Sequence, residues 1–415
     1  MKIKTSLCAG AALGVFALAI ASGAAAQDTT TAWKGAPQWT NDDVQFKVRG
    51  RVLLDAVFED VDRETGVDQN FREFRGRQVF LGVEGKLNNY IAYKVEGGWV
   101  NGGSPSWDDV VIEIKPTDTT SIMFGNIKAA GLENLTSTRF TTFMDRGPFG
   151  DFGVDSYVLS GVVKANGMNW TVTGAIQGDS LNSGDVTAGE ERIGATGRVS
   201  FAPILTDTTK VHLAASARWR DHGDESAFNY QSRPNTNFGS RYISSGAIGD
   251  KDTTFAVEGA VIHNSFSVQA EYANISVDRV TAGASAGGDP DLKVGYVFAS
   301  FWPTGEMRNY DAAKGEFGRP KILNPITAGG FGGVELALRY DWADLTDAYS
   351  SATTAASRTL SQDAGEYRAW TVGVNYYPTA YVRFQANYTK GENNNPVAGR
   401  DVDVDVFQTR VQLDF

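Results

Sequence analysis

Residues 44–58, VQFKVRGRVLLDAVF, alternate between apolar and charged side chains along their whole length. The residues of one parity are apolar or small: Val44, Phe46, Val48, Gly50, Val52, Leu54, Ala56 and Phe58. The charged residues of the other parity are Lys47, Arg49, Arg51 and Asp55. Strands of globular proteins usually span about 5–6 residues, whereas a tilted strand that crosses a bilayer needs about 9–11. The stretch therefore predicts a bilayer-crossing β-strand with one apolar face and one wet face.

The same alternation returns along the chain, interrupted by connections of two kinds. Short turns are predicted at 86–89, 116–119, 166–167, 202–207, 263–264 and 377–379. Longer polar connections are predicted at 59–70, 100–106, 126–152, 178–190, 221–251, 276–291, 343–365 and 390–401. Short turns on one side and long loops on the other are typical of outer-membrane barrels. We therefore predict an all-β fold, a 16-stranded antiparallel transmembrane β-barrel over residues 44–415. Both ends would lie on the short-turn, periplasmic side, and a barrel of this size encloses an aqueous channel.

The first 26 residues have the pattern of a secretory signal peptide. Lys2 and Lys4 precede a short apolar run, and the alanines 24–26 form a small-residue cleavage site. We therefore expect export, with residues 27–43 forming an N-terminal periplasmic segment of the mature chain. Cys8 is the single cysteine, so the mature chain would hold no disulfide and no thiolate metal site. Loss of the two lysines changes the formal charge from −11 to −13.

Other classes of protein fit the sequence less well than a channel. A soluble β-sandwich would need no aromatic belts, and a solenoid needs an internal repeat that the sequence lacks. A barrel enzyme needs a catalytic triad clustered on one rim. His212, His222 and His263 instead fall on a strand, an outer loop and a periplasmic turn. We therefore predict no enzymatic activity, no cofactor, no bound metal and no nucleic-acid partner.

Two long segments resemble a known family. Gly125–Arg146, GNIKAAGLENLTSTRFTTFMDR, is similar to the G-x-x-K…L-E-x-L-T-S-x-R…T-F-M-x-R segment of the phosphate-selective porin O and P family. Phe301–Pro325, FWPTGEMRNYDAAKGEFGRPKILNP, resembles the same family's T-G-E-x-R-x-Y…G-x-F-G-R-x-K…N-P. The resemblance implies a homotrimeric porin surrounded by outer-membrane lipid and lipopolysaccharide. It also implies inward-folded constriction loops and a preference for phosphate or polyphosphate.

Selectivity in such a pore comes from charged side chains close to the ion path. Arg also binds phosphate with a planar fork of donors. Inward parity gives candidate bases on several strands: Lys47, Arg49, Arg51, Lys94, Lys210, Arg218, Arg220 and Arg410. The resemblance implies anion contact by residues of the loop 126–152: Lys128, Ser137, Thr138, Arg139 and Arg146. The alternative for any single wall base is a solvated residue that pairs with an acid on the next strand.

The segment 301–325 falls between the twelfth and thirteenth predicted strands, on the side where the other connections are short. A long structureless loop in a compact protein is usually functional or disordered. Four bases lie in this one: Arg308, Lys314, Arg319 and Lys321. We hypothesise that the segment folds into the barrel from the periplasmic side, meets the loop 126–152 and forms the second half of a gate.

Two features argue against strict phosphate specificity. Gln78 and Phe80 occupy inward positions where the family tends to have an arginine-rich run. Arg75 and Arg77 share the parity of the outward Val79, so we expect them at the level of the lipid headgroups. The acidic net charge also provides no overall attraction for anions. We therefore predict a water-filled, Arg/Lys-lined channel for passive diffusion of small anions, with phosphate or polyphosphate as the first candidates. A general porin for organic acids or small sugars, and a structural barrel with a plugged lumen, are the alternatives.

Overall fold

The computed structural model describes residues 30–33, 36–41, 43–65, 68–183, 191–280 and 285–415. The proposed signal peptide, residues 1–26, lies outside the described residues. The strands are β1 Thr30–Trp33, β2 Pro37–Thr40, β3 Gln45–Arg63, β4 Gln69–Lys86, β5 Ile91–Val100, β6 Ser104–Thr117, β7 Thr120–Ile127, β8 Val158–Asn166, β9 Trp170–Gln177, β10 Ile193–Leu205, β11 Thr209–Asp221, β12 Phe228–Ser232, β13 Ile243–His263, β14 Phe266–Arg279, β15 Asp291–Phe301, β16 Tyr310–Asp311, β17 Glu316–Phe317, β18 Gly333–Asp344, β19 Glu366–Thr379, β20 Val382–Asn394 and β21 Val402–Asp414. The helices are α1 Leu132–Leu135, α2 Thr346–Ser350 and α3 Ala355–Leu360. None of the helices in the described part of the chain is long and apolar enough to cross a membrane.

Nineteen of the strands form one sheet, and sixteen of these close into an antiparallel barrel. The other three are β12, which pairs with the upper part of β13, and the hairpin β1–β2, which extends β3 at its periplasmic end. The barrel closes where β21 pairs with β3, with Leu413 opposite Val52. The predicted 16-stranded barrel is therefore confirmed, with its first and last strands adjacent.

The two faces of the strands divide as the alternation predicts. Leu81 and Leu413 are 53% and 45% exposed on the outer surface, as lipid-facing side chains must be in an isolated barrel. Arg410 and Gln412, on the opposite face of the last strand, are each 1% exposed. Inward side chains are thus covered by chain that enters the lumen, because a barrel of this size has no packed core of its own.

Connections on the periplasmic side are short, with one exception. The short turns span 87–90, 118–119, 167–169, 206–208, 264–265 and 380–381, whereas the exception spans 302–332. On the other side, several predicted loops are shorter than expected, two of them because of long strand extensions. The strand β3 continues to Arg63 and β13 begins at Ile243, so parts of the predicted loops 59–70 and 221–251 are strand. The inward residues of the extended part of β3, Val57 and Val61, pack against Phe238 and Tyr242 of the connection between β12 and β13, and this burial offsets the cost of extending the strand.

Apolar side chains fill one side of the lumen. The largest buried cluster joins the segment between β7 and β8 to the strands β12–β15, β18 and β19, through residues such as Phe149, Tyr230 and Phe298. On the opposite wall, inward side chains of β3–β6 stay partly accessible, with Lys47 and Lys94 exposed by 27% and 32%. Accessible inward side chains therefore remain near the periplasmic end of this wall, whereas Arg51 and Glu96 above them are buried.

Candidate functional site

The segment 128–157, which we call the constriction loop, crosses the lumen between β7 and β8. Gly131 has a φ of 84°, a conformation that glycine adopts without strain, and turns the chain into the short helix α1. The first amides of this helix donate to the wall: Leu132 N lies 2.6 Å and Glu133 N lies 2.8 Å from the two carboxylate oxygens of Glu271. A carboxylate at this position satisfies N–H groups that have no partner within the helix.

Arginines of the far wall hold the same loop through its main-chain oxygens. Arg339 pairs with Glu133 at 2.7 Å and also donates to the carbonyl of Arg146 at 2.5 Å. Arg383 and Arg410 donate to loop carbonyls at 2.6 Å and 3.1 Å. Arg339 and Arg383 were not among the sequence candidates, because their parity shows that they point inward but not that a loop lies against them. These arginines position the constriction loop.

The segment 302–332, which we call the periplasmic insertion, enters the lumen from the short-turn side. Its hairpin β16–β17 reaches α1: Phe317 N donates to Thr136 Oγ1 at 3.2 Å. Leu132, Tyr310 and Phe317 belong to one buried apolar cluster together with residues of the wall. The hypothesised contact between the two lumen segments is therefore present, and they narrow the barrel together.

A ladder of ion pairs runs across the accessible wall. Lys47 pairs with Glu84 at 3.4 Å, and Arg49 bridges Glu84 and Glu96. Arg51 continues the ladder to Glu96, at 2.6 Å, and to Asp108. The predicted bases Lys47, Arg49 and Arg51 therefore line the lumen, and each of them pairs with a carboxylate on a neighbouring strand.

The carboxylate at the centre of the ladder also receives the constriction loop. Glu96 is fully buried and accepts a bond of 2.8 Å from Arg139, which is 3% exposed. Because Arg139 is enclosed in this pair, it connects the constriction loop to the wall.

Gln78 and Phe80 contact the same ladder of ion pairs. Gln78 accepts a hydrogen bond from Arg51 at 2.8 Å, and the guanidinium of Arg51 lies 4.4 Å from the ring centroid of Phe80.

A β-bulge overturns the expected position of two arginines. Leu53 pairs with Gln78 while Leu54 pairs with Gly76, so the intervening residue of β4 has no counterpart on β3. The extra residue reverses the parity above it and turns Arg75 and Arg77 into the lumen. The prediction that these arginines lie at the level of the lipid headgroups is therefore wrong.

Both arginines contact lumen segments. Arg75 stacks 3.9 Å from the ring centroid of Phe238 and donates to the carbonyl of Asn237. Arg77 is half-buried near Asp145 of the constriction loop. Within the described chain, no hydrogen bond or ion pair shorter than 4.0 Å engages its guanidinium. Arg77 therefore adds an inward cation without an ion pair within 4.0 Å among the described residues, at a position that parity alone had assigned to the outside.

Two bases of the constriction loop are held by main-chain oxygens. Lys128 Nζ donates to the carbonyl of Asn134 at 3.0 Å. Arg146 donates to the carbonyls of Glu133 and Thr136 at 3.0 Å and 2.8 Å. Neither base forms an ion pair within 4.0 Å with a described carboxylate. Both remain half-buried, so they present unneutralised positive charge at the constriction.

The surroundings of the lysine also change its titration. Burial, followed by the neighbouring Arg146 guanidinium, holds the pKa of Lys128 well below its ordinary value. Its ammonium also lies 4.4 Å from the ring centroid of Tyr157, an arrangement that favours the charged form. Ser137 and Thr138 lie in the same loop and are half-buried, and their hydroxyl oxygens accept from Arg139 N at 3.4 Å and from Arg146 at 3.4 Å.

The remaining candidate bases are distributed over the lumen and are not gathered in one site. Arg218 and Arg220 share Asp155 and Asp252, at 3.1 Å and 2.8 Å from Asp155. Lys314 is exposed and lies 3.5 Å from Asp311. All three bases are therefore neutralised.

The other bases of the periplasmic insertion differ from one another. Arg308 is 7% exposed and stacks on Phe317 at 3.6 Å. Arg319 pairs with Asp414 of the last strand, and Lys321 is exposed. Of the four predicted gate residues in this insertion, Arg308 alone is both buried in the lumen and without a carboxylate within 4.0 Å among the described residues.

Comparison with known proteins identifies both the family and the fold. The family model described as phosphate-selective porin O and P matches residues 46–415. An uncharacterized protein of Caulobacter vibrioides is 27% identical over 419 aligned residues, which cover 94% of this chain and 78% of that protein.

Solved structures resemble the barrel as a whole. The outer membrane channel DcaP of Acinetobacter baumannii superposes with a TM-score of 0.54 and 13% identity, over 91% of this chain and 99% of its own. OprB of Pseudomonas putida gives a TM-score of 0.52 and 12% identity, over 88% and 94% of the two chains. At these identities the likeness shows the shared barrel fold.

Proposed function

The chain belongs to the phosphate-selective porin O and P family, and we propose that it forms a water-filled outer-membrane channel for passive diffusion of small anions, phosphate and polyphosphate first. One observation carries the proposal: Lys128 and Arg146 are held at the constriction by carbonyl oxygens and not by carboxylates. A carbonyl fixes the position of a base without cancelling its charge. An anion that passes the loop would therefore meet the Arg146 cation, and also the Lys128 cation at a pH below the lowered pKa of this lysine, with neither base in an ion pair.

The donors at this point match the chemistry of an oxyanion. Arg146 uses Nε and one terminal nitrogen for the loop, and its other terminal nitrogen has no acceptor among the described residues. Arg offers a directed donor, Lys a compact point charge, and hydroxyls complete the coordination of phosphate oxygens. Lys128, Arg146, Ser137 and Thr138 would replace part of the hydration shell of the anion as it passes. Arg77, inward but unpaired, extends the positive wall beside them.

A broader anion porin is the second candidate, and the lower wall favours it. Lys47 and Lys94 are each paired with a carboxylate, Lys94 with Asp109 at 2.6 Å. A wall of alternating charge attracts neither cations nor anions strongly. Selection would then depend on one level of the channel, and organic acids or small sugars could share the route.

The outer surface supports membrane insertion and assembly. Phe255 and Trp370 are 63% and 55% exposed on the lipid-facing side of the barrel. Lipid and lipopolysaccharide would cover such side chains over most of the circumference. We propose a homotrimer, in which copies of the chain cover the remainder.

Planar-bilayer recordings test the proposed function directly. In a gradient of KCl, the reversal potential should have the sign of chloride preference, and added phosphate should reduce the chloride current. A cation-selective reversal potential, or a chloride current insensitive to phosphate, would remove phosphate selectivity from the proposal.

A matched pair of variants locates the selective charge. Arg77→Gln removes an inward, unpaired cation and should raise the phosphate concentration that halves the current. Arg72→Gln removes the same charge from the outer face of the same strand, where Arg72 stacks 5.8 Å from the ring centroid of Phe58, and should leave it unchanged. Equal effects of the two substitutions would show that general surface charge governs the block, and not Arg77.

A further inference from the structure

The connection 233–242 between β12 and β13, which we call the extracellular lid, lies across the lumen on the side opposite the periplasmic insertion. Gln408 of β21 holds the beginning of the lid by donating to the carbonyl of Asn235 at 2.8 Å. Asn393 of β20 holds its end by donating to the carbonyl of Tyr242 at 2.8 Å. The lid therefore joins β12 and β13 to strands on the other side of the barrel.

The tip of the lid, residues 237–241, rests on β3, β4 and the constriction loop. Phe238 is 1% exposed and packs in one apolar cluster with Val61 of β3. The side chain of Asn237 donates to the carboxylate of Asp145 in the constriction loop, and its carbonyl accepts from Arg75 of β4. The lid thus covers the constriction loop from the extracellular side.

One buried carboxylate lies beneath this tip. Glu59 of β3 is 3% exposed, and neither of its carboxylate oxygens accepts a hydrogen bond from the described residues. A Cβ atom added at Gly239 would lie 2.7 Å and 2.8 Å from these two oxygens, so the carboxylate faces the tip directly. Gly239 is exposed and has a φ of 64°, which glycine adopts without strain. A small displacement of the tip would therefore admit water to the carboxylate.

The groups around Glu59 compensate a negative charge poorly. Arg233 of the lid attracts this charge, but it forms no ion pair within 4.0 Å with a described carboxylate, and its Nε donates to the carbonyl of Gly239 at 2.9 Å. The inward residues of β21 beside Glu59 are the apolar Val404 and Val406. The other charged or titratable groups of this part of the lumen are Tyr242 and Arg241 of the lid, Arg63 of β3, the pair of Glu73 and Arg75 on β4, and Tyr367 of β19. Ionised Glu59 is therefore costly beneath the closed lid, because an unpaired charge in a dry interior loses its hydration.

The position of Glu59 along β3 places its titration at the extracellular end. The adjacent outward residues Asp60 and Asp62 are exposed and charged, so this part of the strand lies beyond the hydrocarbon of the bilayer. Burial, opposed by Arg233, raises the pKa of Glu59 to about 8. The protonated form therefore favours the closed lid. Its contribution to closure is complete below the ordinary glutamate pKa of about 4.3 and is lost as pH rises through about 8.

We propose that the extracellular lid is controlled by a proton: it covers the lumen while Glu59 is protonated, and its tip moves away from β3 when Glu59 ionises. The contacts of Asn235 keep the beginning of the lid attached in both positions. The open position hydrates the carboxylate and widens the extracellular entrance. This control rests on the proposed channel, but it does not depend on which ions the channel selects.

Conductance in symmetrical KCl, recorded as a function of pH, tests this control. Wild-type conductance should rise as pH passes through about 8. Glu59→Gln imitates the protonated form and should keep the low conductance at every pH. Asp60→Asn removes a carboxylate from the outer face of the same strand and should keep the wild-type profile. A wild-type conductance that does not change with pH, or the same rise in Glu59→Gln, would overturn the proposal, whereas a cation-selective channel with the expected rise would contradict only the proposed anion selectivity.

Thiol labelling follows the lid without any ion flow. Cys8 is the single cysteine and lies in the proposed signal peptide, so Val61→Cys places one thiol beneath the closed lid. Its rate of reaction with a hydrophilic thiol reagent is divided by the rate of the exposed Ser240→Cys, which corrects for the thiolate fraction. This ratio should rise at least about tenfold between about pH 6 and about pH 9, and adding Glu59→Gln should abolish the rise. A ratio that stays constant, or one that rises equally with Glu59→Gln, would refute the movement of the lid.

Discussion

Replacing Lys128 by Met tests whether a carbonyl-held base selects anions. The substitution keeps an unbranched stem of similar length and removes the ammonium. In the folded protein this ammonium makes one hydrogen bond, of 3.0 Å, to the carbonyl of Asn134. The structural loss is therefore about 1–3 kcal/mol at most, and the barrel strands are untouched.

The electrostatic loss follows from contact with the permeating ion. At about 4 Å, two unit charges interact by about 1 kcal/mol in bulk water and about 4 kcal/mol at the effective dielectric constant of a protein surface. Each 1.4 kcal/mol is about tenfold in binding. Phosphate should therefore block the chloride current of the Lys128→Met channel at least about fivefold less effectively, at a pH where the wild-type lysine is charged.

Single-channel recordings in a KCl gradient, with phosphate added to one side, measure the reversal potential and the phosphate concentration that halves the chloride current. Lys293→Met is the matched control, because Lys293 is exposed on the outer face of β15 near its extracellular end. The control should reproduce the wild-type reversal potential and the wild-type half-blocking concentration. If Lys128→Met also reproduces them, the constriction loop does not select ions through this charge.

Two further predictions concern the constriction. Because the pKa of Lys128 is lowered by burial and by Arg146, its charge is present at low pH and is lost below the ordinary lysine range as pH rises. Anion selectivity should fall in that window in bilayer recordings, and Lys128→Arg, which stays charged, should abolish the fall. Glu96→Gln leaves the buried Arg51 and Arg139 and the partly buried Arg49 without this shared acid and should lower the free energy of unfolding in urea by about 3–5 kcal/mol. Glu113→Gln, which disrupts a partly exposed pair with Lys115, should cost less than about 1 kcal/mol, and equal losses would contradict the central role of Glu96.

The barrel was predictable because the alternation of apolar and polar side chains recurs in one strand after another. Each strand alternates with a period of two, so Leu81 outward and Arg410 inward follow from position alone. The side on which each connection lies follows from counting strands, which placed the insertion 302–332 on the periplasmic side. The meeting of this insertion with the constriction loop followed from its length and its polar, irregular sequence.

The errors arose where one residue changes the parity or where a partner is remote in sequence. Gly76 carries no side chain that would mark a bulge, and the single extra residue beside it moved Arg75 and Arg77 from the expected outer surface to the lumen. The pairing of Arg139 with Glu96 joins a loop to a strand 43 residues away. No local pattern encodes such a contact.

The number of basic residues in the lumen is therefore a poor measure of its selectivity. Arg139 and Arg146 belong to the same motif, yet one is buried against Glu96 and the other is held by carbonyls. Arg139 contributes to the stability of the loop, because its charge is paired with an internal acid. The second keeps its charge available to a passing ion, because a carbonyl dipole cannot neutralise it. An acidic chain can thus select anions if a few cations at the narrowest level have oxygen partners without formal charge.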